Sequence, residues 1–257
     1  MKMSDRKRVR ERLLTKREEQ ADGCLLGEMT KTEELCAIMY LPVHMFLIPA
    51  ILTAYMEKGS LDGTDANIIC YAAALLFVLA TERKYLRREF DPLCDNLKKC
   101  AVQIILCYAV MMILNLCISG VLSWLAESIE NIDAVNQNNE AIIEMTKNGY
   151  GKIRAIGVFM APISEEVMFR GGIFRSLRKR SRIMAYCASM AAFSIYHVWT
   201  YAVNNPVYWI FVVEYLPASF VLCRSYEKTD TIWSPIFLHM LINDISLKTL
   251  AILGEYF

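Results

Sequence analysis

Apolar residues along this chain gather in blocks too long for the core of a soluble domain. Seven stand out, at residues 35–56, 66–80, 101–126, 153–177, 183–201, 207–223 and 232–253. An α-helix needs about 20 mostly apolar residues to cross the hydrocarbon core of a bilayer. The pattern therefore predicts an all-α fold: a polytopic transmembrane helical bundle of about seven spans. The second block is short and the fourth is the most polar. No internal repeat or low-complexity segment interrupts the series.

Composition agrees with the pattern. Of 257 residues, 55% are hydrophobic, and the mean hydropathy is +0.30. The formal net charge of +1 points to no polyanionic partner, and nucleic acid is not expected. Nine cysteines are scattered without a Cys-x-x-Cys pair, which argues against a disulfide framework or a structural zinc site.

Charge then orients the bundle. Residues 1–34 read as a charged cytoplasmic N-terminal tail, preceding a transmembrane helical domain over 35–257. No apolar core follows its basic start at signal-peptide distance, so no cleaved signal is expected. Basic residues recur in every second connection: the tail, then Arg83 to Lys99, then Arg178 to Arg182, then Arg224 and Lys228. The intervening connections are acidic or uncharged. The positive-inside rule gives an integral protein of the cell membrane with its N-terminus in the cytoplasm. Lys152 and Arg154 break the trend.

The fourth block contains Ser164-Glu165-Glu166-Val167-Met168-Phe169-Arg170-Gly171. Ionised groups inside an apolar segment are expensive unless paired or used. Glu166 and Arg170 are four residues apart, as are Phe193 and His197, and His239 and Asn243. That spacing puts each pair on one helix face. Glu166 can pair with Arg170, while Glu165 points about 100° away. Counted from the basic side at about 1.5 Å per residue, Glu165, His197, His239 and Asn243 fall in one layer roughly 10 Å thick. The fourth, fifth and seventh helices can meet there around a polar cavity. His44 reads as structural. Glu214 can line the cavity or neutralise a cation, and Asp244 can accept a hydrogen bond behind the site.

A carboxylate, two imidazoles and an amide can make a hydrolase. The carboxylate draws a proton from water, and the water attacks a peptide carbonyl. His239 and Asn243 can donate to the oxyanion, and His197 can orient the water. No Gly-x-Ser, Gly-x-Gly-Asp or His-Glu-x-x-His occurs, so serine, aspartyl and zincin-like sites lack their motifs.

The set Glu165-Glu166-x-x-x-Arg170, Phe193-x-x-x-His197 and His239-x-x-x-Asn243 closely resembles the CAAX protease and bacteriocin-processing (CPBP, or Abi) family. The motifs stand in that family's order and place a protease core at about 153–253. The resemblance implies a glutamate-dependent intramembrane endopeptidase acting on a peptide or protein substrate at or in the lipid bilayer. On that pattern Glu165 and His197 activate water, and His239 and Asn243 form the oxyanion hole. Glu166, Arg170 and Phe193 support them. No cofactor is expected; zinc on Glu165, His197 and His239 is the alternative. Peptide or protein maturation and bacteriocin self-immunity are the roles implied. A non-catalytic membrane immunity or binding protein is the competing function.

Overall fold

The computed structural model describes residues 29–128 and 136–256, and every regular element among them is helical. Most of the charged tail expected over 1–34 lies outside the described residues.

Helix α1 (Lys31–Glu57) starts at a reciprocal cap. Thr30 Oγ1 accepts from the Glu33 amide, and Glu33 Oε2 accepts from the Thr30 amide, satisfying two N–H groups that a helix start otherwise leaves open. Midway, α1 widens into a π-helical turn, Val43–Leu47, just before Ile48-Pro49. A proline has no N–H and crowds the carbonyl four residues back, and a wider preceding turn relieves both. Helix α2 spans Gly63–Thr81.

The basic connection after α2 is itself helical: α3, Arg83–Asp95. It is amphipathic. Tyr85, Leu86, Glu89 and Leu93 are buried, while Arg83, Lys84 and Arg87 are exposed. The buried face grips the turn before the last helix. Thr231 Oγ1 donates to the Glu89 carbonyl at 2.6 Å, the Ile232 amide donates to Glu89 Oε2 at 2.7 Å, and Trp233 Nε1 donates to the Leu86 carbonyl at 2.9 Å.

After α4 (Leu97–Ser128), the motif segment is a helix kinked at Gly149, with two wide turns beyond the kink. Helix α5 (Gln137–Ala155) leads into a π-helical stretch, Ile156–Met160, again just before an X-Pro pair, Ala161-Pro162. The six-residue α6 (Ala161–Glu166) holds both glutamates. A second π-helical stretch, Val167–Phe174, contains Arg170 and passes into α7 (Arg175–Arg178). Gly172 allows this stretch to lie against α1. A Cβ on Gly172 would sit 3.2 Å from Ile38 Cγ1 and 3.4 Å from Ala37 Cβ. Helices α8 (Arg182–Ala202), α9 (Val212–Thr229) and α10 (Trp233–Tyr256) complete the bundle.

All seven apolar blocks are helices. Among the described residues, five helical segments are long and apolar enough to cross a membrane: Lys31–Glu57, Gly63–Thr81, Leu97–Leu122, Pro206–Thr229 and Trp233–Ile252. The fourth and fifth blocks fall short of that apolarity, so five of the about seven expected spans meet it by length and composition. The reason is their position. Glu165, Glu166 and Arg170, and in α8 Ser189 and Ser194, are buried against other helices. A helix sheltered by protein does not need an apolar exterior.

Lys152 and Arg154, the charges that broke the topological trend, are both paired. Lys152 lies 2.7 Å from Asp65, and Arg154 lies 2.9 Å from Asp244.

Candidate active site

The two glutamates at the end of α6 diverge, as adjacent helical positions must. Glu166 turns to Arg170, with Arg170 Nη1 donating to Glu166 Oε1 at 3.0 Å and both side chains fully buried. Arg170 Nη2 donates to Ser219 Oγ at 2.9 Å and to the Ser219 carbonyl at 3.2 Å. The guanidinium also lies 4.5 Å from the Phe193 ring centroid. A negative charge, two oxygen acceptors and a ring face together compensate a cation that burial alone would make very costly.

Glu165 faces the two imidazoles. Its Oε2 lies 3.9 Å from Nε2 of His197 and 3.9 Å from Nε2 of His239. That oxygen is buried and has no hydrogen-bond partner among the described residues. Its Oε1 accepts from the Tyr71 hydroxyl at 3.4 Å.

The histidine rings are oriented from behind. His197 Nδ1 lies 2.8 Å from the Phe193 carbonyl, one turn earlier on α8. A carbonyl only accepts, so Nδ1 carries a proton, and Nε2 is the nitrogen turned toward Glu165. Tyr215 stacks on the same ring, with centroids 4.6 Å apart. His239 Nδ1 lies 2.8 Å from Glu166 Oε1. That oxygen already accepts from Arg170, so Nδ1 of His239 is again the donor.

Asn243, one turn beyond His239 on α10, donates from Nδ2 to the Gly157 carbonyl at 2.8 Å. This bond ties α10 to the first π-helical stretch. The structure thus brings Glu165, His197 and His239 together around one unpartnered oxygen. Glu166, Arg170 and Phe193 lie directly behind them, and Asn243 lies one turn further along α10.

Glu214 and Asp244 are engaged elsewhere. Glu214 accepts from Asn136 Nδ2 at 2.5 Å. Asp244 serves Arg154 and Lys248, at 2.9 and 2.5 Å. His44 is not an isolated packing residue: its Nε2 lies 2.9 Å from the Tyr196 hydroxyl. Tyr71, Tyr196, Tyr215 and Ser219 belong to no sequence motif. The only signal available for the tyrosines was a phenol within an apolar block.

The donor set is wide for zinc. Tetrahedral coordination by nitrogen and oxygen at about 2.0–2.1 Å brings ligand atoms to about 3.3 Å of one another, whereas Glu165 Oε2 is 3.9 Å from each imidazole nitrogen. Among the described residues, no three His, Cys, Asp or Glu side chains form a group that could hold a metal ion.

Residues 153–245 match the family model described as type II CAAX prenyl endopeptidase Rce1-like. This is the family that the three motifs resemble, and the match covers the region that carries them. The matched region contains Glu165, Glu166, Arg170, Phe193, His197, His239 and Asn243, and leaves out α1 to α4. No curated protein and no solved structure matches the chain.

Proposed function

We propose that this integral membrane protein is an intramembrane endopeptidase using a glutamate-activated water. The observation that carries the reading is Glu165 Oε2: buried, unpartnered, and equidistant at 3.9 Å from two imidazole nitrogens. A water held there can be polarised from three directions. Glu165 takes a proton from it, and the resulting hydroxide bonds to the carbonyl carbon of the substrate peptide. Asn243 donates its second amide hydrogen to the oxyanion, the first being given to Gly157. His239 donates from Nε2 when the ring carries both protons, with Glu166 as counter-ion. Glu165 then passes its proton to the leaving nitrogen as the C–N bond breaks.

In this reading the chain crosses the membrane seven times with its N-terminus in the cytoplasm. The site lies between the fourth, fifth and seventh spans. The chemistry needs no metal. The substrate is a peptide or protein at or in the bilayer, cleaved in maturation or in bacteriocin self-immunity. The description of the matching family model names a CAAX prenyl endopeptidase.

A comparison of membranes carrying wild-type protein or Glu165→Gln tests the reading. A peptide that accumulates only with Glu165→Gln names the substrate, and purified Glu165→Gln and His197→Ala should leave it intact. Full activity in either purified variant would overturn the assignment. Activity retained in a strong chelator supports the metal-free chemistry, and its loss would favour zinc.

A further inference from the structure

We propose that His44 is a positioning residue for Glu165, acting through Tyr196 and Tyr71. The inference rests on Glu165 as the proposed base, and it adds residues outside the region matched to the family.

Four side chains from four separate helical segments form a continuous chain. His44 Nε2 lies 2.9 Å from the Tyr196 hydroxyl, which lies 2.9 Å from the Tyr71 hydroxyl, which lies 3.4 Å from Glu165 Oε1. Behind His44, Cys70 Sγ lies 3.7 Å from Nδ1. His44 reaches this place because it lies in the π-helical turn of α1, where it is buried.

Proton counting fixes the direction of every bond. An ionised carboxylate only accepts, so Tyr71 must give its one hydroxyl hydrogen to Glu165. Tyr71 then has only its oxygen to offer Tyr196, so Tyr196 donates to it. Tyr196 in turn accepts, so His44 donates from Nε2. Neutral His44 is left with a bare Nδ1, which faces the thiol of Cys70, a weak donor. All the bonds point toward Glu165, and aligned hydrogen bonds polarise one another. The tautomer of His44 is therefore the mirror of that of His197, whose proton is on Nδ1.

The consequence falls on the division of labour within one carboxylate. Oε1 is occupied by Tyr71, so Oε2 is left to face the two imidazoles and the attacking water. Without His44, Tyr196 is free to reverse its hydroxyl, and Tyr71 can turn away from Glu165.

The test uses the purified full chain and the variants His44→Leu, His44→Gln, Tyr196→Phe and Tyr71→Phe. The infrared carboxyl band of Glu165 is identified as the band lost in Glu165→Gln. We expect that band to shift in His44→Leu, Tyr196→Phe and Tyr71→Phe, and to return to its wild-type position in His44→Gln, whose amide can donate from nearly the same place. For cleavage of a Glu165-dependent peptide, kcat should fall about 10-fold in the three disruptive variants with KM almost unchanged, and recover in His44→Gln. Tyr196→Phe removes a single oxygen and guards against misfolding of His44→Leu. An unmoved band in both His44→Leu and Tyr196→Phe would overturn the proposal. If no Glu165-dependent cleavage exists, the protease reading fails, and the infrared band still decides the role of His44.

Discussion

His239 and Glu166 are joined through the one carboxylate oxygen that also receives Arg170. Glu166 Oε1 lies 2.8 Å from His239 Nδ1 and 3.0 Å from Arg170 Nη1. The second glutamate of the pair therefore does more than steady its own helix. It orients the imidazole that faces Glu165.

A Glu166→Gln variant should keep the shape of this junction while losing its charge. Buried hydrogen bonds to a charged group contribute about 1.5–3 kcal/mol. A kcat reduction of about 10- to 100-fold is expected, against loss to background for Glu165→Gln. Steady-state kinetics on the accumulated peptide compare the two.

Stability and activity should separate in a double variant. Removing one partner of a buried ion pair costs about 3–5 kcal/mol, because the other charge is left stranded. Arg170→Met and Glu166→Gln should each lower the thermal midpoint markedly. Combined, they leave no buried charge at this junction, and the midpoint should recover most of the loss. Activity should not recover, since His239 still lacks its anion. Thermal unfolding in detergent and peptide cleavage, measured on the same samples, test both halves.

Asn243→Ala should act on turnover. Loss of one oxyanion donor typically costs about 100- to 1,000-fold in kcat. KM should change little, because the interaction matters chiefly in the transition state. The variant also loses the bond to Gly157, so a melting curve must accompany the kinetics.

Glu89 predicts a pH dependence of stability on the α3 side of the bundle. Burial pushes its carboxyl up from 4.5 to about 8, against the opposing effect of the Ile232 amide. The native state then holds a proton that the unfolded chain releases near the ordinary value. Its stabilising contribution is full below about pH 4.5 and is lost as pH rises through about 8. The thermal midpoint should fall between these limits in the wild type. In Glu89→Gln, whose amide oxygen can still accept from Ile232, the fall should be shallower.

Much of this arrangement was legible in the sequence, for identifiable reasons. Apolar blocks long enough to span a bilayer leave few alternatives to helix. The four-residue spacing of Glu166 and Arg170 dictated their pairing, and the depth count grouped Glu165 with His197 and His239. Other features left no comparable mark. A regular period of 3.6 residues cannot reveal a π-helical turn, so the wide turns at 156–160 and 167–174 were invisible. Tyr71 and Tyr196 looked like aromatics in apolar helices, because a phenol declares its partner only once the helices are packed. His44 lies 152 residues from Tyr196 in the chain, a pairing that no local pattern encodes. The α3 helix was hidden by its charges, which cover one face of it and leave a core-facing face between them.

The wide turns flanking α6 have a consequence for how the motif is recognised. Each holds more residues per turn than an α-helix, so each changes the angular phase between the helix before it and the helix after it. A chain that lost one residue from either turn could keep every letter of Glu-Glu-x-x-x-Arg and still aim its glutamates at different neighbours. The length of the segment from Gly157 to Phe174 is thus as much a part of the site as the residues spelled within it.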